Sequence, residues 1–399
     1  MARSGILIII SALLPVLWAC QKERADDIGL DSNDRIMFAS PMLTVETRAT
    51  GTGELKDALS PGDEFGVLGY CIPYKVGSSS ELDYNGAASS WSTKRNYCAP
   101  NVFYKQKVTV QNSGCIYDYT GGQDNKPKYW YSDGFDTERN ENSSITDADQ
   151  YQYSFYAYYP YDGGYWTVES PDGASDAGAP QLTFSMPQPG GSDFTTGLDQ
   201  SLTPDAMLAV LYNCKRGDGN LQFNFSHVLT GLRFVVNNYS ESDLLVYSIK
   251  LQGHFFKKVQ VDFSNTVVAF SFPTDRYTGS YILYDNPGGL SLPAPAEDQA
   301  GTSSDSILEE EYKKYIMLIS GEGSYFGEDV QVVIDYKLGD SDRKTEYITR
   351  PGTFTPSPGV RYTAQLNFVG NAFVLQFVVD NSEQWENGGS DDGGDVVFE

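Results

Sequence analysis

Apolar and polar residues alternate in short runs along most of this chain. Leu221, Phe223 and Phe225 fall on one side of an extended backbone and Gln222, Asn224 and Ser226 on the other; Leu232, Phe234 and Val236 resume the pattern. A period of two over this length predicts strands with one face in a core and one in water. Similar strand patterns occur at 36–45, 65–74, 101–110, 115–119, 129–131, 153–159, 182–186 and 206–211. They continue at 244–251, 258–263, 267–273, 315–319, 330–337, 345–349, 361–369 and 373–379. Between them lie loop-like stretches such as GSSSELDYNGAASS and ERNENSSITDAD. No window sustains a 3.6-residue period with caps; 308–315 is the best helix candidate, and it is short.

Composition agrees with the pattern. The chain has 28 Tyr and 21 Phe beside 39 Gly and 19 Pro, a mixture that suits pleated surfaces joined by many turns. With 399 residues, two or three domains are expected. The polar turn KRGDGN at 215–220 falls near the middle and divides an N-terminal β-sandwich, 35–216, from a C-terminal one, 217–399.

Charge and scarce chemistry narrow the function. Asp and Glu total 53 against 28 Lys and Arg, a net charge of −25. Such a polyanion is repelled by phosphate backbones, so nucleic acid is excluded as a partner. Only two histidines occur, His227 and His254, and His227 lies amid apolar alternation, where a core position is expected. No paired acid motif, nucleophile elbow or phosphate loop is present, so no enzyme activity and no cofactor are expected. The segment DDGGD near the C-terminus lacks regular calcium-ligand spacing, and no metal is assigned.

The N-terminus reads as an address. Arg3 precedes an apolar run from Gly5 to Ala19, too short to span a bilayer of about 30 Å. The run ends Leu17-Trp18-Ala19-Cys20, which resembles a bacterial lipobox except for the bulky Trp18. On that reading residues 1–19 are removed, Cys20 is acylated and anchored in the outer membrane, and 20–34 form a polar tether. The alternative is an ordinary secretory peptide. Cys71, Cys98, Cys115 and Cys214 remain, with three pairings open to them, and free buried thiols are the other outcome.

The order of several motifs resembles the fimbrillin family of Bacteroidales. These are the lipobox and tether, a first strand ending in Thr47-Arg48-Ala49, and GDEFGVLGY at 62–70. They continue with YQYSFYAYYPYDG at 151–163, DAMLAV at 205–210, and LQFNFSHVLTGLRFVV at 221–236 with His227 inside a Phe-x-His-x-Leu-x-x-Leu pattern. VVDNSEQWENGG and GDVVFE close the chain. The resemblance implies an all-β protein of two tandem transthyretin-like antiparallel sandwiches. It also implies a structural subunit of cell-surface fimbriae, in shaft, tip or anchor, that acts in adhesion and joins other subunits by strand exchange.

Three sites follow from it. Family members that polymerise are cut after an arginine behind the first strand, which here is Arg48 with Ala49 as the new terminus; the alternative is a solvated loop arginine. Pro41 lacks the N–H of a central ladder and so places this strand at an edge or bulge. A donated strand is the second. VVFE, with Val396, Val397 and Phe398, offers about two inward side chains, roughly 3–6 kcal/mol, too little after the costs of association. Phe373, Leu375, Phe377 and Val379 add roughly 6–12 kcal/mol, so a donor must include them. The alternative is an intramolecular last strand. The third is the aromatic cluster with Tyr156, Tyr158, Tyr161 and Trp166, which either stacks on sugar rings or packs a core. A glycan-binding surface lipoprotein of a nutrient-uptake system is the competing function, and a host or bacterial surface ligand would fit either.

Overall fold

The computed structural model describes residues 35–43, 58–73, 100, 102–117, 128–130, 151–168, 181–187, 197–199, 204–215, 218–263, 268–297, 300–304, 307, 315–319, 330–349 and 356–379. Every named element among them is a strand. Most of the helix candidate 308–315 lies outside the described residues.

In chain order the first strands are β1 (Met42–Leu43), β2 (Glu64–Pro73), β3 (Phe103–Gln111), β4 (Gly114–Tyr117) and β5 (Tyr151–Tyr159). Then come β6 (Trp166–Val168), β7 (Gln181–Ser185), β8 (Gly197–Asp199), β9 (Met207–Cys214) and β10 (Asn224–His227). Next are β11 (Thr230–Asn238), β12 (Leu244–Phe256), β13 (Lys258–Asp262), β14 (Ala269–Ser271), β15 (Arg276–Leu292) and β16 (Thr302–Ser303). The last are β17 (Ile316–Leu318), β18 (Val330–Leu338), β19 (Lys344–Ile348), β20 (Arg361–Val369) and β21 (Ala372–Val379).

These strands make four sheets. The largest runs β1-β10-β9-β5-β2-β3-β4. A second runs β16-β11-β20-β21, with β17 also on β11, and a third runs β19-β18-β12-β15-β8. The fourth, β14-β13-β7-β6, joins strands from both halves: Gln181–Ser185 pair antiparallel with Lys258–Asp262. Gly197–Asp199 likewise lie parallel along Ser280–Ile282. Segments from the first half are thus built into the sheets of the second.

Burial explains why the central strands of the large sheet are so apolar. Along β5, Phe155 and Ala157 enter one core with Phe65, Val67 and Phe223, while Tyr156 and Tyr158 enter another with Leu68, Tyr70 and Leu208. The sheet is covered on both faces, so the run YSFYAYY shows no wet side. The fourth sheet supplies one cover: Tyr156 meets Phe263 at 5.0 Å between ring centroids, and Tyr158 meets Trp166 at 6.1 Å.

The polar turn at 215–220 joins antiparallel neighbours of one sheet, since His227 and Ser226 pair with Met207 and Leu208. Leu221, Phe223 and Phe225 accordingly pack in the first core. The chain passes from the large sheet to the second at Val228 and Leu229. Alternation holds as expected through 221–227, with Gln222, Asn224 and Ser226 exposed. Beyond it β11 is central and largely buried on both sides.

The longest strand, β15, has no counterpart in the sequence pattern. Its Asn286-Pro287-Gly288-Gly289 reads as a turn, but the ladder continues across it: Ser248 pairs with Asp285 and Val246 with Leu290, so the four residues bulge out of a strand that goes on. Near the strand's end, fully buried Asn238 donates from Nδ2 to the carbonyls of Ser242 and Leu292, both at 2.9 Å, and accepts from Ser240. This amide ties the end of β11 to that of β15.

Gly66 on β2 is directly opposite Tyr158 on β5, and a Cβ there would overlap the tyrosine ring. Gly66→Ala is expected to cost roughly 1–3 kcal/mol in urea unfolding through overpacking. The loss should shrink in a Tyr158→Ala background, a coupling that a double-mutant cycle measures directly.

Candidate functional site: the seam closed by the first strand

The large sheet curls until its two ends approach, and residues 36–43 fill the seam. Phe38 bridges Cys115 of β4 antiparallel on one side and Leu221 parallel on the other. Cys115 N donates to Phe38 O at 2.9 Å, Ala39 N to Leu221 O at 2.8 Å, and Leu221 N to Met37 O at 2.8 Å. Further along, Met42 N donates to Phe223 O, and β1 pairs parallel with β10. The segment is therefore a stave of a closed barrel at Phe38 and an edge by Met42, where the partner β4 has ended. Pro41 sits in the second stretch, where only one neighbour needs a donor.

Alternation decides what the stave buries. Ile36 and Phe38 point inward, at 0% and 1% exposure, while Met37 and Met42 point outward. The Phe38 ring stacks on Phe223 at 5.3 Å and meets Phe103 at 5.8 Å, Phe155 at 5.9 Å and Tyr117 at 6.1 Å. Ile36 and Phe38 together contribute roughly 3–6 kcal/mol of apolar burial. Polar clasps add register: Tyr117 donates its hydroxyl to Ile36 O at 3.0 Å, and Gly114 N donates to Ser40 Oγ at 3.0 Å. From the other flank Gln222 Nε2 donates to Ser40 O at 3.0 Å.

Cys115 is a free thiol beside the stave, and its Sγ donates to Ala39 O at 3.3 Å. Burial pushes this thiol up to about 11. Cys214 is also free and buried, pushed up to about 12 by burial first and Asp218 second. Cys98 and the side chain of Cys71 lie outside the described residues.

Cys20, Arg48, Ala49, Val396, Val397 and Phe398 lie outside the described residues as well. Phe373, Leu375, Phe377 and Val379 are on β21, paired antiparallel to β20 at the margin of the second sheet. The first three are buried in their own core, with Phe373 against Phe368 at 4.8 Å and Tyr336 at 5.1 Å. The segment thus pairs within its own chain. Tyr156 and Tyr158 are 1% and 4% exposed, so neither ring offers a face to a sugar. Tyr161 is half-buried against Tyr158, and half-buried Trp166 donates Nε1 to Tyr159 O at 2.9 Å.

His227 is buried, as its apolar setting suggested, and its Nδ1 lies 2.7 Å from Asp205 Oδ1. The pair sits where the chain leaves the first sheet, next to the bond from Val228 N to Ala206 O. Asp205 escaped the sequence reading although it opens the DAMLAV motif. Cys115 is readable in the sequence as a candidate disulfide partner or buried thiol, but no local pattern signals its bond to a residue 76 positions away. Among the described residues no cluster of His, Cys, Asp or Glu could hold a metal ion, and no helix is long and apolar enough to cross a membrane.

No family model matches the chain, and no curated protein matches it. Solved structures do resemble it. One from Bacteroides uniformis, provisionally called a cell adhesion protein, is 13% identical with a TM-score of 0.41 and covers 88% of this chain and 100% of its own. The tip fimbrial protein Mfa3 from Porphyromonas gingivalis, with a C-terminal truncation, is 9% identical with a TM-score of 0.32, covering 86% and 98%. A fimbrial assembly protein from Parabacteroides distasonis is 9% identical with a TM-score of 0.33, covering 88% and 96%.

Two measurements probe the seam. Phe38→Ala should cost about 3–5 kcal/mol in urea unfolding, because it removes a buried ring packed among Phe103, Tyr117, Phe155 and Phe223. The raised thiol has a pH signature. Its stabilisation is fully present below the unfolded thiol pKa, near 9, and is lost as pH rises through about 11. Cys115→Ala should therefore flatten the alkaline fall in unfolding free energy between those values.

Proposed function

We propose that this chain is a structural subunit of cell-surface fimbriae acting in adhesion, exported as a lipoprotein through Cys20 and assembled by strand exchange. The observation that carries the reading is the stave at 36–43. It is the first segment among the described residues, it fills a seam between β4 and β10, and its inward residues are Ile36 and Phe38. Arg48 follows Leu43 by five residues. A cut there leaves the stave held by contacts alone, and its departure opens a groove lined by Phe103, Tyr117, Phe155 and Phe223 with unpaired backbone along both walls. A neighbour's strand carrying alternate apolar residues, such as 373–379, fits that groove by its period. Shaft, tip and anchor subunits share this logic, and the reading holds for all three.

Tyr156 and Tyr158 are buried, which favours the fimbrial reading over the glycan-binding alternative, for which half-buried Tyr161 and Trp166 are the remaining candidates. Adhesion partners beyond other subunits are a host or bacterial surface ligand.

The test uses Cys115 as a reporter. In the intact chain the thiol is buried and protonated, so maleimide labelling at pH 8 should be slow. Digestion with an Arg-specific protease should produce a chain beginning at Ala49, label Cys115 rapidly, and give ladders in SDS without boiling. Arg48→Ala should suppress all three. Cleavage at Arg48 with no gain in labelling and no ladder would sink the strand-exchange reading.

A further inference from the structure

The stave differs from the rest of the described fold in where its sulfur lies. Five methionines fall among the described residues. Met186, Met207 and Met317 are buried in the cores, at most 3% exposed, whereas Met37 and Met42 are 37% and 52% exposed. Both exposed thioethers thus belong to the one short segment that fills the seam. Their backbones help to hold it there: Met37 O accepts from Leu221 N and Met42 N donates to Phe223 O, each at 2.8 Å. The thiols nearby are arranged the other way. Cys115, across the ladder from Phe38, is buried, and so is Cys214. A thiol meets an oxidant as its thiolate, and burial holds both of these protonated. A thioether has no proton to lose and needs only access.

We propose that Met37 and Met42 form an oxidation site on the outer face of the stave, where a hydroperoxide converts each thioether to a sulfoxide and so loosens the seam. In each step a sulfur lone pair attacks the terminal peroxide oxygen. An S–O bond forms as the O–O bond breaks, and the proton of the transferred hydroxyl ends on the departing oxygen. The thioether is oxidised to the sulfoxide, and the hydroperoxide is reduced to water or an alcohol. Register supplies the consequence. Phe38 bridges Cys115 antiparallel, so Met37 falls opposite Ile116, which is itself 56% exposed. The two are apolar cross-strand neighbours on the wet side of the ladder. A sulfoxide is polar, so an oxidised Met37 gives up apolar contact in favour of water. Met42 pairs with exposed Asn224, where an added oxygen costs less. Ile36 and Phe38 keep their inward burial throughout, so the stave stays in place and opens more often.

The site belongs to the uncut chain, so it stands or falls apart from cleavage at Arg48 and from strand exchange. The full chain is treated with dilute hydrogen peroxide at about pH 6, where thiols stay protonated, then freed of oxidant and mapped by peptide mass. Met37 and Met42 should each gain one oxygen well before Met186, Met207 and Met317, with Cys115 unchanged. Maleimide labelling, followed at the Cys115 peptide, should then run roughly fourfold faster than in the untreated chain, about the effect of losing one buried methylene. Met37→Leu with Met42→Leu keeps the apolar surface without the sulfur, a swap of similar volume that folds tolerate. It should label like the untreated chain both before and after peroxide. Oxidation of all five methionines at one rate, oxidation of Cys115 alongside Met42, or a sulfoxide form that labels no faster overturns the proposal. A gain in labelling that the leucine variant shares overturns it too, because the gain would then arise elsewhere in the chain.

Discussion

The fold hangs on one stretch of backbone, Leu221 to Asn238. Its first part is a neighbour of the stave and of β9 in the large sheet; its second part is central in the second sheet, flanked by β20 and β17. Both the first segment of the described fold and one of the last lie parallel to it: Phe38 at Leu221, and Arg361–Phe368 at Gly231–Asn238. Parallel neighbours cannot be made by a tight turn, so these pairings join residues more than a hundred positions apart. Neither half can finish until this stretch is in place, and it belongs to both. At its midpoint, where it changes sheets, a buried carboxylate and imidazole 2.7 Å apart pin it to the start of β9.

That dependence separates what a strand pattern can reveal from what it cannot. The bounds of most strands were legible: 361–369 is β20 as expected, and 330–337 is β18 less one residue. All-β architecture followed from the same reading. Which face each strand buries was legible only where one face is wet, as at 221–227. In β5 and β9 both faces are covered, and an unbroken aromatic run carries no sign of which ring enters which core. The strand β15 was illegible because Pro287 and two glycines, ordinary markers of a turn, here form an insertion that the ladder spans. The turn chemistry near mid-chain is ambiguous in a similar way. KRGDGN has the chemistry of a linker, and a hairpin needs the same chemistry.

The site shows the same division. The first strand and its proline were readable, and so was the idea that the segment lies at a margin. That Phe38 bonds to both walls of a seam is a fact of closure, which depends on how far a seven-stranded sheet curls before its ends meet. Likewise the aromatic cluster was readable as either core or surface. Tyr156 and Tyr158 are covered by the fourth sheet, assembled from Trp166–Val168, Gln181–Ser185, Lys258–Asp262 and Ala269–Ser271, and no local pattern announces that these segments pair.

A plug that is both firm and removable poses an energetic question, and the seam suggests how the two are reconciled on the proposed reading. Ile36 and Phe38 give roughly 3–6 kcal/mol of burial. While the stave is covalently joined to the rest, its effective concentration at the seam is of millimolar order or higher, and that burial is ample to hold it closed. Once the link is cut, the same contacts must also bear the cost of a bimolecular association, several kcal/mol more, and they are no longer enough. A strand with three or four inward apolar residues would then displace one with two, by a margin set mainly by the extra side chains. The first strand need not be weak to be exchangeable. It needs only to be shorter in inward residues than its replacement, and the comparison of 36–38 with 373–379 has that sense.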